Sequence, residues 1–452
     1  MTSRTTLLLA TIIVGFAASA NAEQTFTATL AGHAALPALT MVAPPVDAPR
    51  DAWISGKFTG PARNDAPMSV MGDTGALHGK RPTGLRLPFL GQPLQGLSGF
   101  AANLAEDGSI WVLSDNGFGS RANSPDALLM IHRMRPDFAT GSVGVEQTVF
   151  LSDPDRKVPF RIAHEGTDSR YLTGADFDPE SIQFADGDIW IGEEFGPFIL
   201  RATADGRILS VTPTMQGDTV LKSVDHPTIS GLSVAGKDWT VQRSGGYEGM
   251  ALQPGTGLLW AMAEKPLLGE DGQPAGTTLP VMAFDPAKGE WTGQRFGFKL
   301  AEGATAIGDF NFIDETRALV IERDNGEGDP SLKCAGDPAP DCFPMPAMLK
   351  RVVLIDTATL DADGNVRRIG HVDLMAIADP EGLARIPTAA ARDLAGTFTF
   401  PFFTIEDVMK VDDTHILVAN DNNLPFSSGR ALDRAADDEF ILLSVPELLA
   451  AK

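Results

Sequence analysis

Apolar residues along this chain fall in short runs of four to eight, not at the three-to-four spacing of amphipathic helices. The runs are rich in Val, Ile, Leu and Trp. Turn signals such as Glu106-Asp107-Gly108, Ala204-Asp205-Gly206 and Asp363-Gly364-Asn365 separate them. That pattern predicts an all-β chain. One unit recurs five times: GLSGFAANLAEDGSIWVLSDNG from Gly96, DPESIQFADGDIWIGEEFG from Asp178, GYEGMALQPGTGLLWAMAEKP from Gly246, IGDFNFIDETRALVIERDNG from Ile307 and TIEDVMKVDDTHILVANDNN from Thr404. Each copy has a polar opener, a strand, a turn, a second strand and a polar closing pair. More strand-like sequence follows each unit, enough for a four-stranded antiparallel sheet per repeat. Sheets repeated around an axis make a β-propeller, which leaves only short, protected edges. Six blades are favoured over five or seven. The segment 23–95 is expected to carry either a degenerate blade or the outer strand that closes the ring with EFILLSV (from Glu439). Residues 96–452 form the propeller in this division.

The polar ends of the repeats carry the candidate chemistry. The openers are Ser98, Glu180, Glu248, Asp309 and Glu406. The closing pairs are Asp115-Asn116, Glu193-Glu194, Glu264-Lys265, Glu322-Arg323 and Asp421-Asn422. Equivalent strand ends of a propeller gather at one mouth of the central channel. Clustered carboxylates there repel one another unless a cation neutralises them. Oxygen donors without His or Cys clusters point to a hard ion, Ca2+ ahead of Mg2+. Glu180, Glu193, Asp115, Asp309, Glu264, Glu406 and Asp421 are the expected metal ligands. Glu194, Glu248, Arg323 and Lys265 are the expected catalytic groups, with a carboxylate as base. Asn116, Arg121, Asn422 and Arg430 are the expected substrate contacts, because DNGFGSR and DNNLPFSSGR look like related loops on two blades. The structural alternative for any single carboxylate is a turn cap or an ion pair. Asp361-Ala-Asp363-Gly364-Asn365 lacks the full calcium loop and its terminal Glu, so it is read as a hairpin turn.

The repeats GLSGF...WVLSDNGFGSR, DPESI...WIGEEFGPFILR, GYEGMAL...AEKPL, GDFNF...LVIERDNG and EDVMKV...LVANDNNLPF resemble the phytase-like family described as having esterase-like activity. The resemblance spans about Gly96 to Pro446. It implies a relation to calcium-dependent propeller phytases, which hydrolyse phosphomonoesters.

Composition narrows the remaining choices. The net charge of −23 argues against nucleic acid and anionic membranes as partners. A basic Arg4, an apolar run from Leu7 to Ala18 and Ala20-Asn21-Ala22 form the pattern of a signal peptide over residues 1–22. The chain is therefore expected to be periplasmic or secreted, with no membrane insertion after cleavage. Cys334 and Cys342 are expected to form a local disulfide in that oxidising setting. No Gly-x-Ser-x-Gly elbow is present, and SGLSVAG around Ser233 lacks the second glycine. His164 and His226 sit in loop-like contexts without a nucleophile partner. Three readings stand: a metal-dependent hydrolase of phosphate or related small-molecule esters, a non-catalytic binding propeller, and a lactonase-like calcium enzyme. Sequence gives no oligomeric state.

Overall fold

The computed structural model describes residues 23–452 apart from 77, 103 and 386–395. The expected signal peptide lies outside the described residues. Nearly all regular structure is strand, as the short apolar runs require. Five antiparallel units succeed one another, each built around one sequence repeat. The first is Leu97–Phe100, Ile110–Ser114, Met130–Asp137 and Ser142–Phe150. The second is Pro179–Ala185, Asp188–Glu193, Phe198–Ala202 and Ile208–Pro213. The third is Gly249–Leu252, Leu259–Met262, Thr278–Asp285 and Glu290–Lys299. The fourth is Ala306–Phe312, Arg317–Arg323, Lys350–Leu360 and Val366–Asp373. The fifth is Asp407–Lys410, His415–Ala419, Asp438–Ser444 and, from the other end of the chain, Thr29–Leu36.

The first strand of each unit packs against the first strand of the next, and the fifth against the first. The chain is therefore a β-propeller, and the described residues form five blades. The sixth blade favoured from the sequence is not among them. Its expected source divides its work instead. Thr29–Leu36 pairs antiparallel with Asp438–Ser444 and completes the fifth blade, the closing role anticipated for EFILLSV. Gln24–Phe26 adds a parallel edge strand to the fourth blade. Residues 41–93 make three small two-stranded ladders. Their apolar side chains Leu85, Leu87 and Phe89 pack against Phe118 and Leu424, on the loops that leave the first and fifth blades.

Apolar faces of neighbouring blades meet in separate core clusters. Ile182, Ile191 and Leu200 of the second blade pack with Leu113 and Ile131 of the first. Val281, Phe298, Phe310 and Val353 join the third and fourth. The axis itself is polar and filled. Gln183 Nε2 donates to Met250 O and to Asn311 Oδ1, both at 2.8 Å. Asn311 Nδ2 donates to Phe100 O at 3.2 Å and Val408 O at 3.0 Å. These two amides join the inner strands of all five blades and plug the channel, so the mouth above them is a blind cavity.

Candidate active site

The repeat explains how the mouth is furnished. Each inner strand starts at the mouth, and the second strand returns to it. Backbone bonds then hold opener and closer side by side: Asp115 N to Gly96 O at 2.8 Å, Glu194 N to Asp178 O at 2.9 Å, Glu264 N to Gly246 O at 2.9 Å and Glu406 N to Ala419 O at 3.2 Å. Two glycines are required by this closeness. Gly96 has φ +62°, and a Cβ there would lie 2.0 Å from Asp115 Oδ1. A Cβ on Gly246 would lie 2.4 Å from the Glu194 Cα. Taken round the ring, the closers are Asp115, Glu194, Glu264, Arg323 and Asp421. Four are acids and one is a cation.

These residues line a cavity of about 270 Å3. Eight carboxylates face it: Asp115, Asp178, Glu180, Glu194, Glu248, Glu264, Glu406 and Asp421. Against them stand two cations, Arg323 and Lys265, with Asn116, Asn325, Asn423, Ser244, Thr404 and Phe403 on the walls. Both cations converge on one acid. Arg323 Nη2 lies 2.7 Å from Glu264 Oε1, and Lys265 Nζ lies 2.6 Å from Glu264 Oε2. Arg323 Nη2 is also 3.6 Å from Glu406 and 3.9 Å from Glu248. Lys265 is further tethered by the carbonyls of Ser244 and Arg243.

The remaining acids are under strain that the protein itself does not relieve. Burial, reinforced by neighbouring negative charge, pushes Asp115, Glu180, Glu194 and Glu248 well above the usual carboxylate range. Burial also raises Glu406 to about 8, with Asp421 the next cause. It raises Asp178 and Asp421 to about 6, less far because both accept hydrogen bonds. Lys265 and Arg323 run the other way. Burial would lower them, but the Glu264 charge and other neighbouring acids hold them above their ordinary values.

Oxygen geometry fits a bound cation. Asp178, Glu180 and Glu194 each place an oxygen within 4.8 Å of the others, and so do Glu194, Glu248 and Glu264. Two unit charges at that spacing repel by about 3 kcal/mol at an effective dielectric near 20. Glu248 is 3% exposed, yet its Oε1 makes no hydrogen bond. A buried carboxylate oxygen without a donor is costly, and a hard divalent ion is the partner its chemistry suits.

Other residues expected at the mouth lie elsewhere. Glu193 Oε1 accepts the N–H groups of Gly196 and Phe198, both at 2.7 Å, and Oε2 that of Phe195 at 2.9 Å. It caps the turn behind the mouth. Asp309 accepts Val408 N at 2.8 Å within the axis. The fourth repeat carries Gly308 where the other repeats carry their openers, so Asp309 stands level with Asp407 of the next blade, one place along the strand. Asn422 is bound to Asp438. Arg430 forms a two-pronged pair with Glu439 at 3.0 and 2.6 Å. Arg121 donates to Ala175 O and Asp225 O at 2.8 Å each. These five do not line the cavity.

The kinship of DNGFGSR and DNNLPFSSGR is visible in the bonds. Asp178 Oδ1 accepts Asn116 N at 3.1 Å, as Asp438 Oδ1 accepts Asn422 N at 3.1 Å. Only Asp178 of that pair reaches the cavity. Phe403 and Ser244 were not singled out from sequence, because they belong to entry loops outside the strand repeat; Thr404 and Asn423 are the neutral first and last residues of the fifth copy. Asp361 Oδ1 accepts the N–H groups of Asp363 and Asn365, as a hairpin turn does. Cys334 and Cys342 are disulfide-bonded.

Solved structures similar in fold include an arabinanase of Bacillus subtilis, with 10% identity and a TM-score of 0.36, covering 76% of this chain and 92% of that one. A periplasmic gluconolactonase of Pseudomonas aeruginosa is similar at 14% identity and TM-score 0.30, over 83% and 98%. A PQQ-bound aldose sugar dehydrogenase from Streptomyces coelicolor is similar at 13% and 0.33, over 78% and 95%. These are likenesses of fold alone. No curated protein matches the sequence. A family model does match, over residues 92–424, which takes in all five repeats and every carboxylate of the cavity. The chain belongs to the phytase-like family, described as "Esterase-like activity of phytase".

Proposed function

We propose that the chain is a metal-dependent hydrolase of small-molecule phosphate esters, working at the acid-lined mouth. The observation that carries this reading is the excess of eight carboxylates over two cations around one cavity. Ca2+ is the expected ion, held by Asp178, Glu180 and Glu194, and by Glu194, Glu248 and Glu264. When bound, it would supply charge neutralisation and Lewis acidity at the oxygen under attack. The chain's own groups do the rest. Arg323 and Lys265 face the cavity and favour charge that builds on substrate oxygens. Glu248 takes the proton from the attacking water on whichever of its two oxygens the ion does not occupy. Asn116 and Asn423 orient polar substrate groups from the rim.

A second reading rests on a specific observation. Both cations are already committed to Glu264, so a neutral ester or lactone would suit the cavity without the charge problem of a phosphate. The chain is further proposed to be exported. The Cys334–Cys342 disulfide points to a non-cytoplasmic setting. No described helix is long and apolar enough to cross a membrane.

A substrate panel tests these readings. Purified protein is assayed against phosphomonoesters, phosphodiesters, carboxylic esters and lactones, with Ca2+ and with chelator. The proposal expects turnover of a phosphomonoester, lost on chelation and in a folded Glu248→Gln variant. Turnover of a carboxylic ester or lactone alone selects the second reading. A folded, calcium-binding protein with no turnover makes it a binding propeller.

A further inference from the structure

Behind the cavity wall lies a charged group that the mouth chemistry does not touch. Lys350 begins the third strand of the fourth blade, in register with Arg323. It is wholly buried. Its Nζ donates to Asp324 O and Phe403 O, both at 2.8 Å, and lies 3.2 Å from Asp324 Oδ1. Three N–H groups thus meet three acceptors. The acceptors belong to two different blades. Asp324 follows Arg323 directly. Phe403 directly precedes the fifth blade's repeat, and its ring centroid lies 5.8 Å from the Arg323 guanidinium carbon. Asp324 is itself fixed, accepting Met348 N and Leu349 N on Oδ2 and Gly326 N on Oδ1.

We propose that Lys350 is a positioning residue for the mouth: its ammonium clips the Arg323 turn to the Phe403 entry, and so holds the guanidinium among Glu264, Glu406 and Glu248. The clip acts across the seam between the fourth and fifth blades, where Thr404 also bonds Asp421 at 3.0 Å. A neutral amine keeps only two N–H groups and turns a lone pair towards one of the three acceptors. The clip is therefore whole only while Lys350 is charged. Burial lowers Lys350 to about 7, with the Asp324 charge opposing and Arg323 adding to the fall. Glu327 is the other charged group acting on it, and it favours the charged form.

The sign of this linkage gives a signature. Between pH 7 and the ordinary lysine range, the unfolded chain keeps a proton that the folded chain has lost. The Lys350 contribution to stability therefore rises with pH in that window. Positioning weakens over the same window. An ordinary structural lysine would lose activity only as the fold loosened.

The inference rests on the mouth being the active site, so the test carries one readout that needs no turnover. Full-length protein is labelled with 15N-arginine, and the Arg323 Nε–H signal is assigned by Arg323→Lys. In the parent protein this signal is expected to titrate near pH 7. In Lys350→Met it is expected to be shifted and to lose the Lys350 step, keeping only the response to Glu406 at higher pH. On whichever substrate the panel yields, Lys350→Met is expected to lower kcat by between about tenfold and a hundredfold at saturating calcium. It is also expected to flatten the alkaline limb of the kcat profile. Lys350→Arg, which keeps the charge, is expected to move that limb to higher pH. Circular dichroism and melting confirm that each variant is folded. An Arg323 signal with the same titration in Lys350→Met overturns the proposal, as does a kcat profile unchanged in both variants. A signal that responds as expected in a protein that turns over nothing keeps the clip and refutes the hydrolase.

Discussion

Glu194 is the carboxylate common to both candidate cation groups, so its replacement separates the two components of the site's energetics. In Glu194→Gln a buried carboxyl that the fold holds uncharged against its ordinary ionisation gives way to a neutral amide. The metal-free protein is therefore expected to melt higher than the parent, since the amide leaves fewer carboxylates to be buried together. Calcium is expected to act the other way. An ion present at a hundred times its dissociation constant stabilises the folded form by about 2.7 kcal/mol. For roughly 430 folded residues the unfolding entropy is about 0.9 kcal/mol per kelvin, so one such ion raises Tm by about 3 °C. Two ions sharing Glu194 would give about 6 °C in the parent. Glu194→Gln is expected to lose nearly all of this increment, and Glu180→Gln about half. The assay is a calcium titration followed by differential scanning calorimetry, with calorimetric binding as the check on stoichiometry. The two melting curves should cross: the variant leads without calcium and trails with it. A Glu194→Gln variant that melts lower than the parent in chelator, and gains as much from calcium, would refute the cation-holding account of the mouth.

Four further outcomes are expected. Metal-free protein should lose stability from about pH 4 to pH 8, because Asp178, Asp421 and Glu406 hold protons in the fold up to about 6, 6 and 8, and stability falls as pH rises through those values. Saturating calcium should flatten that slope in a melting series. Gly96→Ala should cost about 1–2 kcal/mol for its left-handed backbone alone, plus the displacement of Asp115, and urea unfolding should show it. Arg430→Met should destabilise by about 3–5 kcal/mol, by leaving the buried Glu439 with only His33 as a partner, yet leave calcium affinity unchanged. Cys334→Ser should cost at most about 2–3 kcal/mol in urea, the loop-closure value for a separation of 8 residues, and a reducing agent should abolish the difference from the parent.

The strand-turn-strand repeat made the propeller legible, because short apolar runs, turn signals and recurrent polar ends survive in the sequence without any knowledge of the third dimension. The blade count was less legible. A strand such as Thr29–Leu36 carries no mark saying that its partner lies some four hundred residues away. The site divided in the same manner. Closers such as Glu194, Glu264 and Asp421 reach the cavity because backbone bonds at the second strand's end fix their place. Asp309 does not, because Gly308 holds the opener position in the fourth repeat, and the next residue along a strand points to the opposite side. In the pair Glu193-Glu194 one acid faces inward and the other caps a turn, and adjacency alone does not say which. Arg430 and Asn422 share loop chemistry with Arg121 and Asn116, yet of these four only Asn116 lines the cavity. Phe403 and Ser244 are visible only when the loops that carry them are folded over the ring.

The fifth blade has a kinetic consequence. Its sheet is complete only when Thr29–Leu36 meets Asp438–Ser444, the longest-range strand pairing among the described residues. Closing so long a loop adds only slowly growing entropy, but it makes this contact a late event during folding. Glu406 and Asp421 flank that blade's first two strands, so the mouth is finished at the same moment as the ring. An ion that needs the finished mouth then acts as a latch on the last step. Refolding with calcium should leave the early phases unchanged and slow only the reopening of the seam.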